Sequence, residues 1–225
     1  MWLRKKFYTH NIRRAFVWLL VSGGVVILVC AGIIAWHQVH TASGNTGQPA
    51  HEISSDNPTI RPSTERPTPN AFDTYTVASD LPRYLFIPKL SVKAMVKHLG
   101  LTSENQIDAP KNVFDVGWYT GSAKPGHAGA LLIDGHVSSD SVQGVFYGLK
   151  DLHKDDMITM EKGDGSQVQY RVVKTQVFDA NNVDMAAALS PVSAKPGLNL
   201  ITCTGKVIKG TRNYDKRLVV FSEQL

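Results

Sequence analysis

The sequence predicts a mostly-β domain carried outside a membrane on a single anchor. Three observations carry this. Short runs rich in Val, Ile, Leu, Tyr and Phe recur through residues 83–225, separated by Gly, Pro, Asn and Asp, the pattern of short strands joined by turns. An uncharged apolar stretch covers residues 15–36. Between the two, residues 37–82 are dominated by Gly, Ser, Thr, Asn and Pro.

Residues 1–14 form a short basic tail, with Arg4, Lys5, Lys6, Arg13 and Arg14. Ala15 to Trp36 follows. As a helix it spans roughly 33 Å, about the thickness of a bilayer core. Trp18 and Trp36 sit near its two ends, where indole rings favour the interface. The basic tail places the N-terminus in the cytoplasm and the remainder outside. The apolar run is too long for a typical cleaved signal peptide, which favours a retained transmembrane helix. Residues 37–82 contain Pro49, Pro58, Pro62, Pro67, Pro69 and Pro82 and little apolar periodicity. Such a segment buries too little surface to offset its ordering entropy, so it reads as a flexible extracytoplasmic stalk. The part around Ala71–Ser79 is expected to pack on the domain that follows.

Residues 83–225 are long enough for one domain. Strand signals lie at Tyr84–Ile87, Ala94–Val96, Ala130–Ile133, Met157–Met160, Gln167–Phe178, Leu198–Ile201 and Leu218–Phe221. Gly163-Asp164-Gly165 is a hairpin signal. Helical signals are short: Val145–Leu152, and Asn182–Leu189 with Asp184 in its first turn. Many strands and few helices point to a barrel or sandwich.

The formal charge of +5 does not indicate nucleic-acid binding. The five cations of the tail supply the whole excess, and without them basic and acidic residues are equal in number. No zinc-spaced Cys/His cluster, phosphate-binding Gly-rich loop or dinucleotide fingerprint occurs, so no metal or cofactor is expected. The two cysteines are Cys30, inside the apolar segment, and Cys203. They cannot pair across the membrane boundary, which leaves Cys203 a lone extracytoplasmic thiol and a candidate reactive one.

Cys203 closes the run Asn199-Leu200-Ile201-Thr202-Cys203-Thr204-Gly205. Gly135-His136 follows an apolar strand upstream, and Arg217 opens one downstream. A thiolate attacks carbonyl carbon. An imidazole exchanges the proton with the thiol and leaving amine, and a guanidinium stabilises the oxyanion. His136 competes with His127 in Pro125-Gly126-His127, a loop without a preceding apolar strand. Arg217 competes with Arg212, which lies in a polar loop. Asp134 and Asp140 flank the histidine; either could orient it, although ordinary loop acids are the simpler reading. Thr202 either shapes a substrate pocket or only follows strand propensity. Trp118 and Tyr119 read as barrel core.

Leu200-Ile201-Thr202-Cys203, Gly135-His136 and Arg217-Leu218-Val219-Val220, with Ile87-Pro88-Lys89-Leu90, resemble the signature of sortases, membrane-anchored cysteine transpeptidases of Gram-positive-type cell envelopes. The resemblance covers residues 83–225. One position departs from it, since Asn199 stands where the family often has Thr. With no long C-terminal extension, a compact class D-, E- or F-like form is the nearest likeness. The resemblance implies a sortase-like eight-stranded β-barrel with short helices. The cysteine would end the seventh strand, the histidine would follow the fourth, and the arginine would lie on the eighth. It also implies cleavage of a Leu-Pro-x-Thr-Gly-like sorting signal on exported proteins. Cys203 would form a thioacyl intermediate with His136 as acid/base and Arg217 as oxyanion or substrate partner. Thr202 would be a substrate-binding residue. A peptidoglycan-precursor or pilin amine would be the acceptor. Two other readings stand beside this one, a thiol hydrolase in which water replaces the amine and a non-catalytic, membrane-tethered binding barrel.

Overall fold

The structure is a computed structural model and describes residues 61–225 except 104 and 105. The expected cytoplasmic tail at 1–14, the expected transmembrane helix at 15–36 and the part of the expected stalk up to residue 60 lie outside the described residues. Among the described residues no helix is long and apolar enough to cross a membrane.

Eight strands close into a barrel: β1 (Pro82–Ile87), β2 (Val92–Leu99), β3 (Val116–Tyr119), β4 (Ala130–Gly135), β5 (Met157–Lys162), β6 (Gln167–Asp179), β7 (Gly197–Val207) and β8 (Tyr214–Gln224). Their order around the barrel is β1-β2-β3-β4-β7-β8-β6-β5, and β5 pairs back to β1. The β2–β3 and β4–β7 pairs are parallel, and the others are antiparallel. The parallel β4–β7 pair positions the candidate site. It sets the residue after β4 beside the far end of β7, although more than sixty positions separate them in the chain.

The interior is filled by alternate side chains from every strand, among them Leu85, Val96, Trp118, Leu131, Ile133, Ile158, Tyr170, Leu198, Leu200 and Val220. Strand β4 is apolar on both faces. Leu131 and Ile133 point inward, whereas Leu132 joins an outer cluster with Ile201, Val219 and Phe221 beneath Val183, Met185 and Leu189. A strand covered on both faces reads as a continuous apolar run, which is why Ala130–Ile133 shows no alternation.

Three segments differ from the sequence reading. Strand β3 carries no clear strand signal because it is short and has Gly117 at its centre. A β-carbon there would lie 2.1 Å from Leu99 Cδ1, so glycine lets Leu99 pack over the strand. Trp118 is core as expected, but Tyr119 is only partly buried, against the outer cluster. The helix expected over Val145–Leu152 is a single 3-10 turn, Leu149–Asp151, because Phe146, Leu149 and Leu152 are all drawn into the core. The helix expected at Asn182–Leu189 shortens to α2 (Met185–Ala188), with Asp184 as N-cap accepting from Ala187 N at 2.9 Å.

The C-terminal part of the segment read as a stalk is folded onto the barrel. Ser63 pairs with the 111–113 backbone, and α1 (Pro69–Thr74) begins at the Thr68 cap with Pro69 in its first turn. Tyr84 Oη donates to Phe72 O, Tyr75 Oη donates to Val96 O, and Arg83 Nε donates to Tyr75 O at 2.8 Å. These bonds supply the ordering that composition alone does not.

Candidate active site

Alternation along β7 sorts its side chains. Leu198, Leu200 and Thr202 point into the barrel, while Asn199, Ile201 and Cys203 take the outer face. Antiparallel pairing with β8 sets the Cys203 Cα opposite that of Arg217, and directly opposed residues share a face. On β4, Asp134 pairs with Ile201. Its side chain lies on the same outer face, and His136, two residues on, follows it. Cys203, His136, Arg217 and Asp134 therefore line one groove of about 820 Å³. One wall is apolar, built from Ile107, Tyr119, Val183, Met185, Leu189 and Ile201.

His136 and Arg217 are both held by backbone carbonyls. His136 Nε2 lies 2.8 Å from Pro110 O. A carbonyl only accepts, so Nε2 carries a proton in this contact and Nδ1 is the nitrogen that changes protonation. Phe146 N donates to His136 O at 2.9 Å. A β-carbon on Gly144 would sit 2.3 Å from that same oxygen, so glycine allows the following loop to close against the histidine. Arg217 Nη1 donates to Tyr214 O at 3.1 Å and Lys216 O at 3.0 Å. This fixes the guanidinium through one nitrogen. Ser138 Oγ and Tyr214 Oη, 2.8 Å apart, tie the loop after His136 to the start of β8.

Burial pushes the Cys203 thiol above its ordinary range. Arg217 opposes this and Asp134 adds to it. Burial also pushes the Asp134 carboxyl up to about 6, against the pull of His136, the Gly135 N–H and Arg217. The site thus holds a thiol, an imidazole, a guanidinium and a carboxylate within mutual electrostatic reach.

The remaining sequence candidates fall elsewhere. Thr202 is buried, and its Oγ1 donates to Gly135 O at 2.7 Å. It joins β7 to the residue before His136 and, together with Cys203, lines a smaller cavity of about 190 Å³ beside the main groove. Arg212 forms an exposed ion pair with Asp140 at 3.1 Å, and Arg61 meets the same carboxylate at 3.5 Å. His127 lies in the exposed turn that donates to Lys124 O. Two site residues are not evident from the sequence reading. Asp134 reads as a loop acid, yet the period-two spacing Asp134-x-His136 is the signal that both share a face. Asn199 Nδ2 donates to Ala188 O at 2.8 Å and Ser190 O at 3.0 Å, pinning the end of α2 over the outer cluster. Among the described residues no cluster of three or more His, Cys, Asp or Glu could hold a metal.

The fold and the groove define a thiol-bearing eight-stranded barrel enzyme scaffold. A family model for the sortase domain matches residues 85–225, and the chain belongs to the sortase family, whose members are cysteine transpeptidases. Among solved structures, the lid mutant of sortase A from Corynebacterium diphtheriae is 23% identical. That match covers 64% of this chain and 70% of the other, with a TM-score of 0.50. The complex of Streptococcus agalactiae sortase C1 with MTSET is 18% identical and covers 67% of this chain and 71% of the other, with a TM-score of 0.51. A comparison with curated proteins finds no match.

Proposed function

We propose that this sortase cleaves a Leu-Pro-x-Thr-Gly-like sorting signal of exported proteins and joins the new carboxyl end to a cell-envelope amine. In this reading residues 15–36 anchor the chain in the cell membrane, with the N-terminus cytoplasmic and the barrel outside. The Cys203 sulfur, as thiolate, attacks the Thr carbonyl carbon. Arg217 stabilises the oxyanion with its remaining N–H donors. His136 Nδ1, protonated, gives its proton to the departing Gly amine as the C–N bond breaks, leaving a thioester on Cys203. An incoming amine, from a peptidoglycan precursor or a pilin lysine, attacks that thioester. It loses its proton to His136 and expels the thiolate. No cofactor takes part.

The observation that supports this most directly is the β7–β8 register, which sets Cys203 opposite Arg217 in the groove that His136 also lines. The apolar wall suits apolar side chains of such a signal. The test is turnover of a fluorogenic sorting peptide by the full chain in mild detergent, with and without an added amine. Amine-dependent ligation that disappears in Cys203→Ala is the expected result. Normal turnover by Cys203→Ala would remove Cys203 from the mechanism, and peptide hydrolysis unaffected by amine would make the protein a hydrolase.

A further inference from the structure

Among the described residues, Asp134 is the one acid that lines the groove. Its neighbours on the adjoining strands offer it no side-chain hydrogen bond. On β3 the paired residue is Gly117, and on β7 it is Ile201. His136 on its own strand and Arg217 on β8 attract it, but not enough to offset its loss of water, and its hydrogen bond comes from the adjacent Gly135 N–H. A carboxylate has acceptor sites for about four hydrogen bonds. One set against an apolar wall is left with unused capacity that a ligand can fill. An apolar ligand would cover those sites and leave them unpaired, at a cost typical of a buried unsatisfied charged group.

We infer that Asp134 determines donor specificity: it selects a sorting peptide with a hydrogen-bond-donating side chain, such as an amide or hydroxyl, in the segment upstream of the acyl residue. Asp134 is in register with Ile201, two residues from Cys203 on β7. That places it about 6–7 Å along the strand from the nucleophile. An extended peptide advances at the same pitch, so the residue it meets lies two or three positions from the one whose carbonyl reaches the sulfur, and the proposed reading, in which a sorting signal is recognised through the residues preceding its scissile bond, sets that residue on the upstream side. This inference rests on the proposed reading for where the scissile residue lies.

The experiment measures binding to the Cys203→Ala chain in mild detergent, which separates recognition from turnover. Labelled Leu-Pro-Ala-Thr-Gly peptides carry either Leu or Asn at each of the first two positions in turn. Leu and Asn are close in size and shape, and only Asn donates. With Asp134 present, Asn at one of these positions binds about tenfold tighter than Leu, the increment expected of a hydrogen bond to a charged group. In Asp134→Ala the preference turns to Leu. In Asp134→Asn, which keeps an acceptor oxygen, part of the Asn preference survives. A Leu preference at both positions with Asp134 present, the same ratio in all three backgrounds, or no binding of any of these peptides would each overturn the inference. Turnover of any of them by the chain with Cys203 intact, whatever the binding ratios, keeps the transpeptidase reading standing separately.

Discussion

Asp134→Asn is expected to make the protein more stable at neutral pH, and only there. Burial displaces this carboxyl from 3.8 to about 6 despite the attraction of His136 and Arg217. The folded state therefore binds the proton more tightly than the unfolded chain does. Below about pH 4 both states are protonated and the group costs nothing. As pH rises through the interval between 4 and 6, the unfolded chain ionises first, and the folded state loses stability relative to it. Above about 6 the loss is complete and constant. At 1.36 kcal/mol for each pH unit of displacement, the full effect is about 3 kcal/mol. Partial exposure of the side chain makes about 2 kcal/mol the better expectation. Asn has the same shape and no charge, so it removes the penalty. The assay is urea unfolding of the full chain in mild detergent, read by near-ultraviolet circular dichroism at pH 4.5 and pH 7.5. The variant should gain about 2 kcal/mol at the higher pH and about a third of that at the lower. Equal stability at both, or a loss at pH 7.5, would refute the claim that this carboxylate is held at a cost.

Two further outcomes follow from the same contacts. Alkylation of Cys203 by iodoacetamide reports its thiolate. Because burial and Asp134 raise the thiol and Arg217 lowers it, the rate at pH 7 should increase in Asp134→Asn and decrease in Arg217→Ala; the opposite order would mean that the two charges do not act on the sulfur. Thr202→Val removes the 2.7 Å bond to Gly135 O and sets a methyl group against that buried carbonyl, at a cost of about 1–3 kcal/mol. The urea midpoint should fall accordingly, and turnover should fall with it, since Gly135 immediately precedes His136; an unchanged midpoint would show that water replaces the hydroxyl.

Most of the barrel is legible in the sequence because seven strands bury side chains with clear strand composition. Leu198-Asn199-Leu200-Ile201 and Leu218–Phe221 announce themselves as apolar runs, and β7 and β8 are where those runs fall. Strand β3 does not, because Gly117 answers to Leu99, a neighbour in space that no local pattern reveals. The 3-10 turn at Leu149–Asp151 is misread as a longer helix for a related reason. Its apolar residues have near-helical spacing, but they satisfy the barrel interior. In the site, residue types and order single out Cys203, His136 and Arg217. What brings them to one groove is the parallel β4–β7 pairing and the β7–β8 register, both long-range facts. Thr202 illustrates the same limit. Its position beside the cysteine suggests a pocket residue; a one-residue step along a strand reverses the face, so its side chain turns inward and lines the smaller cavity rather than the main groove. Asn199 falls on the outer face by the same alternation. Its amide reaches two carbonyls at the end of α2, a role that depends on a loop folded across the strand.

The charges around Cys203 also bear on how the thiol can serve both halves of a transfer reaction. A thiol raised by burial is less often ionised, but its thiolate is intrinsically more nucleophilic, because nucleophilicity rises with basicity along a shallow slope. The same basicity makes it a poorer leaving group, so the Cys203 thiolate is expelled from its thioester more slowly than a more acidic thiol's would be. Arg217 and Asp134 pull the sulfur in opposite directions from opposite sides of the groove. Arg217 favours the thiolate, whether as attacking or as departing group, and Asp134 disfavours it. A donor peptide that engages Asp134 through a hydrogen bond would weaken the second influence while leaving the first intact. Thiolate formation would then be favoured when the correct substrate occupies the groove, so recognition and activation would draw on the same carboxylate.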